Sequence, residues 1–270
     1  MSFLSTVRSR RSVRSFDGKP LAETELNELL DFCRSIENPY GVAVEWGVLD
    51  AEKTGLSSAV IVGEKTFITA KVPRVPHAEE AFGYAFERMV LHAAEQGIGT
   101  TWIAGTMDRK AFEKAAGLQE GEMMPCVSPL GHAAAKMSLR EIMMRKGISA
   151  DSRFAYEKLF FDGSFDKPLS QEAAGALADA LEAVRWAPSA CNYQPWRLVI
   201  TDGAVHFYLK RNKGFALDRA FDTQKVDMGI ALCHFMLAAE EAGKAASLSL
   251  EDPGFAVPDG EIYVASCRLA

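Results

Sequence analysis

Apolar and polar positions along the chain alternate between two periods, one of helices and one of strands. Leu26, Leu29, Leu30 and Cys33 recur at helical spacing after Pro20-Leu21, with Glu23 and Glu25 near the positive N-terminal end. Strands are expected through Val42, Val44 and Trp46 and over Ser58–Val62, with a loop at 71–76, where two prolines fall. Residues 81–97 are apolar at nearly every position and end on a glycine, which predicts a helix central to a core or an interface. A buried strand ending at Gly105 follows, then a strand over 124–132. Ser170 can cap a helix with Leu177, Leu181 and Val184 on one face, which Pro188 stops. Arg197–Ile200 and Val205–Leu209, joined around Asp202-Gly203, read as a β-hairpin. A second apolar helix runs from Gly229 and a last strand covers Ile262–Cys267.

The elements repeat. Phe16-Asp17-Gly18-Lys19-Pro20-Leu21 is echoed by Phe165-Asp166-Lys167-Pro168-Leu169 at an offset of 148 at the lysine, and the apolar helix at Gly83 is echoed at Gly229, an offset of 146. Gly97 pairs with Gly243 at the same offset. Two halves, 1–146 and 147–270, are expected.

The 270 residues are 48% apolar, ample for buried cores. With 30 Lys and Arg against 36 Asp and Glu, the net charge of −6 gives no broad field for nucleic acid or an anionic membrane. Five scattered cysteines without a CxxC pair argue against a disulfide framework or a zinc site and for a reducing cytoplasm. No secretion signal or membrane span is expected, and His92, lacking a second ligand at metal spacing, reads as a packing residue.

Two polar stretches are not explained by packing. In Ser9–Phe16, alternate residues of an extended segment set Arg10, Ser12 and Arg14 on one side, and arginine forks on one face suit a phosphate dianion. In Ala187–Trp196, a helix-to-strand junction presents a hydroxyl, two side-chain amides and free backbone groups, which suits a planar polar ligand.

Ser189-Ala190-Cys191-Asn192-Tyr193-Gln194-Pro195-Trp196 resembles the Ser-x-x-Asn-x-Gln-Pro-Trp flavin loop of the FMN-dependent nitroreductases. Arg10-Arg11-Ser12-Val13-Arg14-Ser15-Phe16 is similar to the family's opening segment, and Gly97–Gly105 to the segment that passes under the flavin ring. The resemblance covers nearly the whole chain and is to the internally duplicated, single-chain branch. It implies an α+β fold, a nitroreductase-like α/β/α sandwich with a central, mainly antiparallel sheet, duplicated within one chain as a pseudo-dimer.

It also implies one FMN between the halves. Arg10, Arg11, Ser12 and Arg14 would serve phosphate, ribityl chain and ring edge; Trp102, Ile103, Ala104 and Gly105 would supply backbone amides at N5 and O4; and Pro188, Ser189, Ala190, Cys191, Asn192 and Gln194 would form the second wall. A basic phosphate anchor is expected among Lys136, Arg140, Arg145 and Lys146, with Arg140 and Arg145 ranked first. In the second half Lys158, Phe160 and Asp162 stand where Arg10, Ser12 and Arg14 stand in the first, leaving one complete site. Family members often carry Glu where Ala104 stands, so a carboxylate role there is lost.

The implied activity is NAD(P)H-driven, ping-pong reduction of nitroaromatic or quinone-like acceptors, with Tyr193, Phe67, Phe215 and Trp102 as candidates for shaping the acceptor pocket. No side-chain nucleophile is expected, Cys191 included. The expected assembly is a monomeric pseudo-dimer or a weak homo-oligomer. The alternatives are a flavin-binding or electron-delivery module without turnover of its own and, least favoured, a nucleic-acid or protein partner on the Arg10-Arg11 cluster.

Overall fold

The computed structural model describes residues 2–212 and 220–270. They fall into two compact units, Ser9–Ala78 with Ala85–Ala150, and Asp151–Ala270 with Met1–Arg8 and Glu79–Tyr84. Compactness of this kind is a separate property from the repeat of 1–146 in 147–270.

In the first unit, β1 (Glu45–Asp50), β2 (Thr66–Pro73), β3 (Glu122–Met123) and β4 (Val127–Leu130) form an antiparallel sheet with β2 pairing with the other three. α1 (Phe3–Ser9) belongs, but for Ser9, to the second unit; the helices of the first are α2 (Glu23–Ser35), α3 (Ala51–Thr54), α4 (Ala78–Glu95), α5 (Arg109–Ala115) and α6 (Leu139–Gly147). Its core gathers Val13, Phe16, Leu49, Phe67, Ile103, Phe112 and Val127.

The second unit holds β5 (Phe160–Asp162), β6 (Trp196–Thr201), β7 (Ala204–Lys210), β8 (Ala246–Ser249) and β9 (Glu261–Leu269) in the order β5-β6-β7-β9-β8. Only β5 with β6 is parallel. α8 (Thr223–Glu241) packs on this sheet, with Phe235 edge-on to Phe207 of β7 at 5.7 Å between ring centroids, and α7 (Ala178–Trp186) packs on α8. The β6–β7 hairpin turns at Asp202-Gly203, as the sequence predicts.

The first turns of α4 enter this unit and cross α8 by close backbone approach. A side-chain carbon at Gly83 would overlap the Val226 carbonyl, and one at Gly229 would overlap that of Glu80. The two contacts are reciprocal: Gly83 and Gly229, like Glu80 and Val226, lie 146 residues apart.

Several expected strands are corrected. The strand placed at Val42 begins at Glu45 instead, because the Asn38 side chain bonds the Val42 amide and carbonyl, at 3.3 and 2.6 Å, and takes them out of any ladder. Ser58–Val62 is a turn with single bridges at its two ends, Ser58 to Met107 and Val62 to Ser15. The neighbouring ladder is β2, which runs through the expected loop as far as Pro73, where a proline closes the strand. Residues 97–105 make only isolated bridges, Gly99 to Gly131, Thr100 to Ser12 and Ile103 to Val127. The helix expected from Ser170 is a 3₁₀ stretch, Glu172–Leu177, kinked at Gly175 with φ 54°, before α7 begins. No helix among the described residues is long and apolar enough to cross a membrane.

Candidate functional site

Residues 10–16 form an extended strap. The Val13 amide donates to Thr100 O at 2.8 Å, Phe16 N–H to Val62 O at 2.8 Å, and Val62 N–H back to Arg14 O at 2.9 Å. Val13 and Phe16 drive the strap into the core. Gly99 makes room for it, since a Cβ there would stand 2.9 Å from Val13 Cγ2. The strap's polar side chains are thereby carried on a backbone paired to its neighbours.

The helix α6 completes their surroundings. Ser138 caps it, accepting from the Glu141 amide at 3.2 Å, and the Ser138 amide donates to Ser15 Oγ at 2.9 Å, so the helix starts against the strap. Glu141, fully buried, accepts from Arg11 at 2.8 Å and from the Arg14 amide at 3.3 Å. Arg145, one turn on and on the same helix face, acts electrostatically on both Arg10 and Arg14. Burial is the largest influence lowering the Arg10 pKa, with Glu87 opposing it and Arg145 adding to it. Burial likewise leads at Arg14, which is 8% exposed, with Glu141 opposing and Arg145 and Arg10 adding. Among the described residues, Arg10 Nε and one terminal nitrogen of Arg14 are buried without a hydrogen-bond acceptor. With the Arg145 charge acting on both, these donors suit an anion of more than one charge.

Two expected residues lie elsewhere in this geometry. Arg140 donates to Ala59 O at 3.2 Å, which leaves Arg145 as the basic residue of α6 beside Arg10 and Arg14. Arg11 has its guanidinium on Glu141 and fixes α6 to the strap. Ser12 bridges Thr100.

Further along, Ile103 and Val127 exchange backbone hydrogen bonds of 2.9 and 3.0 Å. The turn after Ile103 is clamped by Arg109, which donates to Met124 O at 2.8 Å, Pro125 O at 3.0 Å and Ala104 O at 3.2 Å. Ala104 and Gly105 donate no backbone hydrogen bond among the described residues. Trp102 Nε1 donates to Glu87 at 3.0 Å, so one buried carboxylate serves both this tryptophan and the field at Arg10.

The second unit carries the other segment. After α7 ends at Trp186, the chain turns through Pro188–Gln194 with Cys191, Asn192 and Gln194 at φ 50°, 58° and 47°. Each left-handed non-glycine costs about 1–2 kcal/mol, so the shape must be held from outside. Ser189 Oγ accepts from the Gln194 amide at 2.9 Å; Asn192 Nδ2 donates to Ser152 O at 3.1 Å; Gln194 Oε1 accepts from Phe154 N–H at 2.9 Å. Beneath the loop, Asp227 of α8 accepts from the Ala190 amide at 3.0 Å. Cys191 and Tyr193 are exposed, while Gln194 is 1% exposed and Trp196 is wholly buried.

Other expected residues are placed differently. Phe67, a candidate for the acceptor pocket, lies in the core edge-on to Phe112 at 5.0 Å between ring centroids, and its complete burial removes it from any open pocket. Phe215 lies outside the described residues. Phe160 is buried in β5, and Asp162 pairs with Lys167 at 2.5 Å. His92 stacks on Phe32 at 3.7 Å between ring centroids. Sequence reasoning missed Glu87, Arg109, Glu141 and Asp227. Glu141 had a sequence signal, standing four residues before Arg145, and so did Asp227, the acid in the apolar run from Val226.

Comparison with known proteins gives concordant matches. A family model described as "Putative TM nitroreductase" matches residues 3–239. A Thermotoga maritima protein, described as a "putative nitroreductase", is 19% identical over 100% of this chain and 93% of its own, with a TM-score of 0.63. A nitroreductase family protein of Clostridium novyi is 18% identical over 50% of this chain and 87% of its own, with a TM-score of 0.44. A Bacteroides fragilis nitroreductase with bound FMN is 18% identical over 52% of this chain and 92% of its own, with a TM-score of 0.43. No curated protein matches the sequence.

Proposed function

The chain belongs to the nitroreductase family whose model spans residues 3–239, and on that premise we propose that it is an FMN-dependent oxidoreductase. In this reading NAD(P)H reduces the enzyme and leaves, and a nitroaromatic or quinone-like acceptor then takes its place. The observation that carries the proposal is the pair of buried, unsatisfied arginine donors on Arg10 and Arg14, beside Arg145. An FMN phosphate fits that donor set, because a dianion offers acceptors for each fork and offsets the three cations.

Bound FMN would supply the hydride chemistry, and the chain's part is to hold and orient it. Arg10, Arg14 and Arg145 would bind the phosphate, and Glu141 holds the strap through the Arg11 guanidinium and the Arg14 amide. Arg109 fixes the Ala104-Gly105 turn, whose amides are donors for a flavin edge. The Ser189–Gln194 loop, similar in sequence to a flavin loop, would offer its hydroxyl and amide groups to a flavin.

The two motif sets occur once each, so the proposed stoichiometry is one FMN per chain, and the protein is proposed to work as a monomeric pseudo-dimer. Internal duplication is supported by the reciprocal contacts of Gly83 and Gly229. Five unbridged thiols, four of them buried, support a cytoplasmic location. Ala104, which has no carboxylate to offer a substrate, favours a second reading, an electron-delivery module without small-molecule turnover.

The test is visible absorption of the protein titrated with FMN, followed by anaerobic NADPH or NADH. Saturation at one FMN per chain and bleaching by a nicotinamide is the expected result. Binding without bleaching turns the assignment to the electron-delivery module, two equivalents refute the single site, and no binding overturns the proposal.

A further inference from the structure

α8 opens at Asp222, whose side chain caps it by accepting from the Gln224 and Lys225 amides. It then runs almost wholly buried from Val226 to Phe235. Asp227 stands in that run, 3% exposed. One carboxyl oxygen accepts from the Ala190 amide at 3.0 Å, and the other is buried without a partner. Ala190 sits between extended Ser189, at φ −146°, and left-handed Cys191, so its peptide is where the loop changes direction. Of the side chains that brace the loop, Ser189, Asn192 and Gln194 are neutral amides and a hydroxyl. Asp227 is the brace that can change charge.

We propose that Asp227 is the positioning residue of the Pro188–Trp196 loop, a carboxyl that holds the loop in its ligand-binding shape only while it carries a proton. A protonated carboxyl still accepts from Ala190 through its carbonyl oxygen and leaves no buried charge. An ionised one leaves a charged oxygen in an apolar helix with nothing to pair it, a state the protein relieves by letting the loop open to water.

Charged groups on the surrounding elements are engaged elsewhere. On α8, Lys225 pairs with Glu80 at 3.6 Å, and Asp222 is held by Arg211. On α7, Glu182 takes Arg8 and Arg185, both at 3.1 Å, as well as the Trp186 indole. Arg197 of β6 donates to the Gln194 and Trp196 carbonyls, and the loop presents the Cys191 thiol. Asp222 is the charged neighbour whose field reaches Asp227, and its sign opposes ionisation.

Burial is the main cause raising the Asp227 pKa, to about 8; Asp222 adds to it and the Ala190 amide opposes it. A raised folded-state pKa sets the sign. The proton's contribution to the closed loop is complete below the ordinary carboxylate range and is lost as pH rises through about 8. Between the ordinary carboxylate range and about pH 8 loop opening becomes about ten-fold easier per pH unit, and above about 8, where neither state holds the proton, it levels off.

The inference rests on the FMN reading only for the ligand, so the test has two readouts on the full chain. Amide exchange at residues 190–194 of FMN-free protein, corrected for intrinsic rates, is followed from pH 5 to 9.5, and FMN affinity is titrated over the same range. The expected result is protection and FMN affinity that fall together, about ten-fold per unit up to about pH 8, and level off above it. In Asp227→Asn, which keeps the acceptor and cannot ionise, that pH dependence disappears. In Asp227→Leu, protection is low throughout. A wild-type loop whose protection is constant with pH, or an Asp227→Asn loop that still loses it, overturns the proposal. Should the wild type bind no FMN, the cofactor reading falls while the exchange data still decide the role of Asp227.

Discussion

The strap at residues 10–16 and the loop at 188–196 are held in opposite ways. The strap is extended, paired along its backbone and pinned by Val13 and Phe16, and what it carries is unbalanced charge. The loop is bent through three left-handed residues and braced by neutral side chains, one carboxyl and the guanidinium of Arg197. One segment spends its stability on keeping cations out of water, the other on keeping a backbone out of its preferred wells. The first segment thus offers charge complementarity and the second a fixed shape, and each property can be removed without touching the other.

The largest effect is expected from Arg10→Met with Arg14→Met. Two charged hydrogen-bonding groups are lost together, at roughly 1.5 kcal/mol or more each, so FMN affinity falls by about 100-fold or more in a fluorescence titration. Gln194→Ala leaves the Phe154 amide unpaired and the loop unbraced. It costs about 1–3 kcal/mol, read as a lower melting temperature and weaker FMN binding in the same protein. Arg14→Met alone is expected to raise the stability of the FMN-free protein by about 1 kcal/mol while weakening binding, since it removes a buried cation with an unsatisfied nitrogen. Were that variant less stable without FMN, the strap would not be strained by its charge. Cys191→Gly, which relieves a left-handed non-glycine, is expected to stabilise the FMN-free protein by up to about 1 kcal/mol in urea melts.

The same contrast explains what could be read from sequence. The β6–β7 hairpin was legible because alternation and Asp202-Gly203 agree, and α4 and α8 because their apolar runs are long. The expected strands at 58–62 and 97–105 were wrong in type for a shared reason. They make only single bridges, two of them to the strap, and an apolar pattern does not reveal whether the partner is a sheet or one passing segment. The arginines of the strap were legible because they serve no packing purpose. Glu141 and Asp227 were missed although their spacing and surroundings carried a signal, because their importance lies in how completely the fold buries them, and side-chain type alone says nothing of that.

The glycine crossing has an evolutionary consequence. In a symmetric pair of identical chains, a substitution at such a crossing arrives twice, and both contacts fail together. Here Gly83 and Gly229 are separate codons in one gene, so a substitution at either brings one added side chain to the crossing and not two. On the proposed reading of a duplicated chain, arginines can be kept in one half and a polar turn in the other without a matching demand on the partner segment.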